Sequence, residues 1–163
     1  MLYGRGPPVK LTGLSRSLFR PSDDAVPLGS PLPSPAMACT ELTHISDLLT
    51  SVGQDNIASS TKAVADVICN ALETVIKDSI QTKGGVLPYE IDGYGNSYSM
   101  DDANIPSLLS LPFLGYASST NAIYKKTRDY VLSSNNPYYF SGSAGEGIGG
   151  PHVGYNYAWP MAI

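Results

Sequence analysis

The chain has 163 residues, 42% of them hydrophobic and 15% charged, with a formal net charge of -4. That length falls in the one-domain range and is enough to bury a core. The weak acidic balance, with no basic run or stripe, argues against a nucleic-acid partner, and no window approaches the ~18 apolar residues of a membrane span.

The opening MLYGRGPPVKLTGLSRSLFR has no apolar centre and carries Arg5, Lys10, Arg16 and Arg20, so it does not read as a secretion signal. Residues 1–36 are predicted to be irregular, with a turn-rich GRGPP start and prolines at 27, 31, 33 and 35 that exclude a helix. Within them SLFRPSDDA sets Arg20 close to Asp23 and Asp24. Two readings stand: a local ion pair in a loop, or a buried carboxyl ready to donate a proton.

Helices are predicted next. Ala36–Val52 carries Met37, Leu42, Ile45, Leu48, Leu49 and Val52 at helical spacing and stops at Gly53. Gln54–Ile80 places Ile57, Val64, Val67, Ile68, Ala71, Leu72, Val75, Ile76 and Ile80 on an inner face, and Lys83-Gly84-Gly85 closes it. Cys39 and Cys69 fall in these helices and are expected as buried free thiols rather than a bridge. His44 is expected to cap or pack, since no second ligand stands at a metal-binding spacing from it.

Residues 86–99 read as a short β-hairpin turning at DGYGN. It brings Glu90 and Asp92 just upstream of Asp101 and Asp102, in the company of Tyr89, Tyr94 and Tyr98. The chain holds 11 tyrosines against 3 phenylalanines. A tyrosine joins an apolar ring to a polar tip, which suits recognition of polar ligands such as sugars. The segment MDDANIPSLLSLPFLGY then sets Asp101, Asp102 and Asn104 before an apolar run of helical length ending at Gly115. Polar groups beside a core cost free energy unless paired, so the cluster is either a site or a helix cap.

A further helix is predicted in SSTNAIYKKTRDYVLSS, capped by Ser119 or Thr120, with Ile123, Tyr124, Thr127, Tyr130 and Val131 inward. NNPYYF forms a turn, and SGSAGEGIGGPHVGYNYAWPMAI is a glycine-rich ligand loop carrying His152 and Trp159. It lacks the pattern of a phosphate loop. The fold class expected is all-α, with helical hairpins and long irregular loops gathered at one end, as in an α/α toroid or part of one.

Six blocks carry a resemblance: FRPSDDA, YEIDGYGN, MDDANIPSLLSLPFLGY, TRDYVLSSNNPYYF, GIGGPH and WPMAI. In this order they resemble the motifs of glycoside hydrolase family 125. The resemblance implies an inverting, metal-independent exo-α-1,6-mannosidase with an (α/α)6 barrel, no cofactor, and mannose-containing oligosaccharides or N-glycans as substrate. Inversion needs a general acid and a general base roughly 6.5–9.5 Å apart. The resemblance puts the acid in FRPSDDA, at Asp23 or Asp24, with Asp23 preferred, and the base beyond the WPMAI block. It makes Arg20, Glu90, Asp92, Asp101, Asp102, Asn104, His152 and Trp159 substrate-binding. On this reading residues 1–163 are a single partial catalytic domain. The alternative is a non-catalytic remnant or mannose-binding helical fragment.

Overall fold

The structure, a computed structural model, describes residues 5–159. Gly4 of the GRGPP start and the last four residues of WPMAI lie outside that range. The regular elements are β1 (Ser30–Pro31), α1 (Pro33–Ser51), α2 (Asp55–Thr82), β2 (Glu90–Ile91), β3 (Ser97–Tyr98), α3 (Ala122–Val131), β4 (Tyr139–Gly142) and β5 (Gly145–Ile148). No helix among the described residues is long and apolar enough to cross a membrane.

Helix α1 begins three residues earlier than the proline pattern predicts. Pro33 and Pro35 occupy its first turn, where backbone N–H groups have no intrahelical partner and proline therefore loses no hydrogen bond. The helix ends as expected at Gly53, which takes φ +74° while Gln54 N–H donates to the Leu49 carbonyl at 2.8 Å. α2 runs back along α1, and Gly84 and Gly85, both at positive φ, turn the chain out of it.

Two corrections concern these helices. Cys39 and Cys69 are not free thiols: they form a disulfide between α1 and α2, with a Cα–Cα distance of 5.3 Å. The inner face of α2 is also narrower than its periodicity suggests. Ala58, Ala65, Ile68, Ala71 and Leu72 are buried, whereas Ile57, Val64, Val67 and Ile80 are each more than half exposed. Ala71 lies beside Gly13 of the N-terminal lead, where an added Cβ would stand 3.2 Å from the Ala71 Cβ.

The core gathers Leu32, Leu72, Leu87, Tyr89, Met100, Leu108, Leu111, Tyr124, Val131 and Ile148 from every part of the described chain. A three-stranded antiparallel sheet, β1-β2-β3, sits beside it, with Glu90 opposite both Pro31 and Tyr98. The predicted hairpin is thus present and gains β1 as a third strand. A second hairpin, β4-β5, occupies part of the segment expected to be an irregular ligand loop. The described residues are therefore not purely α: among them three helices stand with two small sheets.

The run IPSLLSLPFLGY forms successive turns rather than a helix. Asp101 explains much of this: its two carboxylate oxygens accept the N–H groups of Leu108 (2.8 Å) and Leu109 (2.9 Å). Ser107 and Ser110 hydrogen-bond each other's backbone N–H groups, a local alternative to helical pairing. Leu108, Leu109 and Leu111 are buried as expected, but Phe113 is 75% exposed. Tyr124 of α3 donates from its phenol to the Leu109 carbonyl and ties the segment down. α3 itself is capped by Asn121, not Ser119 or Thr120. The Asn121 carboxamide oxygen accepts from the N–H groups of Ile123 and Tyr124.

Candidate active site around the Arg20–Asp24 turn

The RPSDD stretch is a tight turn whose shape follows from its residues. Pro21 supplies the fixed φ favoured at the second position of a type I turn, and Asp23 N–H donates to the Arg20 carbonyl at 3.0 Å. Asp23 then takes φ +68°, a left-handed conformation that aspartate tolerates better than most residues. The turn closes with Arg20 N–H donating to the Asp24 carbonyl and with the pairing of Phe19 and Ala25. This geometry separates the two aspartates. Asp23 is exposed, whereas Asp24 is half-buried and faces the rest of the cluster.

Three groups meet Asp24 or its neighbours. Ser22 Oγ lies 2.8 Å from Asp24 Oδ2 and 3.0 Å from Asp102 Oδ2, linking the turn to MDDAN. His152 Nδ1 approaches Asp24 Oδ1 to 3.9 Å from the loop after β5. Asp102 is fully buried, and its Oδ1 accepts from both the N–H and the Nδ2 of Asn104, each at 3.0 Å. The glycines of GIGGPH permit the close approach of this loop. The Gly149 carbonyl accepts from Ala103 N–H at 3.0 Å, and a Cβ on Gly150 would stand 3.1–3.2 Å from the Asp102 carboxyl group.

Beneath the turn lies a buried ion pair. Arg20 Nε donates to Glu90 Oε1 at 2.6 Å, and Oε2 accepts from Leu28 N–H at 3.2 Å. The Arg20 guanidinium also lies over the rings of Tyr89 and Tyr98, 5.4 and 5.9 Å from their centroids. Burial raises the pKa of the Glu90 carboxyl, and Arg20 opposes the shift. Burial likewise pushes Asp101 up to about 7 against the pull of the Leu108 and Leu109 amides. The Tyr89 phenol is pushed well above its ordinary value, first by burial and then by Asp102 and Asp101.

The residues expected to form the site thus divide. Arg20, Asp24, Glu90, Asp102, Asn104 and His152 come together around the turn. Asp101 is adjacent but wholly buried, and both of its oxygens are used on the Leu108–Leu109 turn. Asp92 caps its own hairpin, accepting from the N–H groups of Tyr94 and Asn96 and from Asn96 Nδ2, and these bonds hold its carboxyl below the ordinary range. Trp159 packs partly buried against the core, and its backbone N–H donates to the Ile148 carbonyl. Ser22, the hydroxyl that bridges two carboxyls, was missed by sequence reasoning. Its place inside the FRPSDDA block was the available signal.

A cleft of about 550 Å³ lies apart from this cluster, between α2 and the β2–β3 hairpin and lined by Ala71, Val75, Ser79, Ile91 and Asn96. The cleft holds one carboxylate, Asp78, and none of the groups around the turn. Carboxyls, a hydroxyl and a histidine converge at the turn instead.

Comparison with known proteins gives the chain a class, that of the glycoside hydrolases. Residues 1–163 match the family model described as metal-independent alpha-mannosidase (GH125). The chain belongs to glycoside hydrolase family 125. It is 43% identical over 164 residues to the Meiotically up-regulated gene 157 protein of Schizosaccharomyces pombe, covering 99% of this chain and 32% of that protein. It also superposes with a TM-score of 0.85 and 36% identity on a Streptococcus pneumoniae protein from a family of metal-independent alpha mannosidases. That protein was solved as a non-productive substrate complex with alpha-1,6-mannobiose, and the match covers 96% of this chain and 37% of that one. The chain therefore spans about a third of the length of each relative.

Proposed function

We propose that this chain contributes the acid side of the active site of an inverting exo-α-1,6-mannosidase acting on mannose-terminated glycans. Asp24 is the general acid. It protonates the glycosidic oxygen as the bond to the anomeric carbon breaks, while a carboxylate on the opposite face activates water. The observation that carries this assignment is the Ser22–Asp102 contact to Asp24, which holds that carboxyl in a half-buried position while Asp23 faces solvent. His152 and Asn104 border the acid and are assigned to sugar hydroxyls. Arg20 and Glu90 form the rigid floor beneath it.

The general base is not assigned to any carboxylate near the turn. Glu90 is held by Arg20, Asp92 by its hairpin, Asp101 by two amides and Asp102 by Ser22 and Asn104. None is free to hold a water molecule across a sugar ring. On this reading the 163 residues are one part of a catalytic domain built as an (α/α)6 toroid, and the similarity to the S. pneumoniae protein supports that arrangement. The same observation favours a second reading for the chain by itself, a mannose-binding segment without turnover.

The test is release of mannose from α-1,6-mannobiose by the full natural chain and its variants. Asp24→Asn is expected to lower kcat by about 10³-fold, and Asp23→Asn by less than about threefold. The reverse ranking would move the acid to Asp23. Turnover by the isolated 163 residues would defeat the second reading.

A further inference from the structure

We propose that Ser22 and Asp102 are positioning residues that keep a proton on Asp24 through a carboxyl–hydroxyl–carboxyl chain. The proposal rests on the reading of Asp24 as the acid. Its basis is a count of protons. Ser22 Oγ contacts Asp24 Oδ2 at 2.8 Å and Asp102 Oδ2 at 3.0 Å, yet a serine hydroxyl carries one hydrogen. Two ionised carboxylates only accept, so one hydroxyl satisfies one contact and sets a lone pair against an anion in the other. Both contacts are hydrogen bonds when one carboxyl is protonated: its O–H donates to Ser22 Oγ, and the Ser22 O–H donates to the other carboxylate.

Access decides which end delivers the proton. Asp102 is fully buried, and its second oxygen already accepts two N–H groups from Asn104. The Asp24 side chain is 22% exposed, and among the described residues its second oxygen faces His152 Nδ1 at 3.9 Å, beyond hydrogen-bond distance. With Asp24 as the acid, the shared proton is held at that end, which a glycosidic oxygen can reach. The other charged or titratable groups around the chain are the Arg20–Glu90 pair beneath the turn, Asp101 next in sequence and the buried Tyr89 phenol. On reaction the Asp24 O–H leaves Ser22 Oγ and its proton passes to the glycosidic oxygen; the C–O bond breaks as water adds to the anomeric carbon and gives its proton to the base on the opposite face, and the leaving group departs as an alcohol. Asp24 remains as carboxylate, Ser22 turns its hydrogen from Asp102 to Asp24, and a proton from solvent restores the starting state.

The experiment is the pH dependence of mannose release from α-1,6-mannobiose by the full natural chain. Ser22→Ala is expected to lower kcat about tenfold with little change in KM, and to move the high-pH limb of the profile down by about one pH unit. Ser22→Thr keeps the hydroxyl and should restore both. Asp102→Asn keeps the shape, removes the charge and should move the same limb. If the limb stays in place in both Ser22→Ala and Asp102→Asn, the chain is refuted. If Asp24→Asn itself retains turnover, the acid assignment fails, which is a separate outcome. Carboxyl ¹³C NMR reads the chain without turnover: the Asp24 and Asp102 signals, assigned with Asp24→Asn and Asp102→Asn, should change together in one titration. Independent titrations would overturn the proposal.

Discussion

Arg20 and Glu90 show how much a single buried contact decides near the candidate site. Their side chains are 3% and 0% exposed and meet at 2.6 Å. Removing one partner leaves an uncompensated charge in the interior, at a cost of about 3–5 kcal/mol. Arg20→Met should therefore lower the unfolding free energy by that amount, read by urea denaturation, and the double variant Arg20→Met/Glu90→Leu should recover much of it. Asp101 carries a different signature. Burial raises its folded pKa from 3.8 to about 7, so the folded state holds this proton more tightly than the unfolded chain does. The stability it contributes is complete below about pH 4 and is lost as pH rises through about 7. Glu90 is shifted in the same direction by burial. Stability measured at intervals from pH 4 to pH 8 should fall with rising pH, and Asp101→Asn should flatten that slope. An unchanged slope in the variant would remove Asp101 as its source.

Among the elements, the α1–α2 hairpin and the segment after β3 behave in opposite ways. The hairpin was readable because its punctuation is local: Gly53 and the Gly84–Gly85 pair supply positive φ where each helix must stop. Its disulfide was less readable. A bridge requires Cα atoms within about 4.4–6.8 Å, and only the antiparallel return of α2 brings Cys39 and Cys69 to that range. One sequence clue exists, since both cysteines stand equally far from Gln54 at the turn between the helices. Closing a loop with a sequence separation of 30 is worth about 3.5 kcal/mol in the chain-entropy model. Cys39→Ala/Cys69→Ala should lower stability by roughly that amount in urea. Alkylation of the wild-type protein without reductant should label neither thiol, and labelling of both would contradict the bridge. After β3, by contrast, an apolar run of helical length becomes turns. Asp101, Ser107 and Ser110 take the backbone N–H groups that a helix would have paired four residues back.

Across the whole molecule, the exposed aliphatic residues form the largest departure from the periodic pattern. Ile45 and Leu48 on α1, Val52 just after it, and Ile57, Val64, Val67 and Ile80 on α2 are 44–64% exposed. If this face meets only water, Val64→Lys should change stability by no more than about 0.5 kcal/mol in the 163-residue chain. A loss above about 2 kcal/mol would show that the face is covered. Thermal melts of the unsubstituted protein and the variant make the comparison. Taken alone, the sequence determined the elements whose signals are local. These were the two long helices, the third helix with its Tyr124–Thr127–Val131 stripe, the hairpin at DGYGN and the set of blocks that carry the family. Tertiary structure decided whatever depends on residues distant in sequence meeting in space. It separated Asp24 from Asp23 through a left-handed turn, joined Asp24 to Asp102 through Ser22, and withdrew Asp92 and Asp101 into their own local caps. The physical reason is that periodicity records which face of an element is apolar, whereas the partner of a buried polar group is set by how the elements pack.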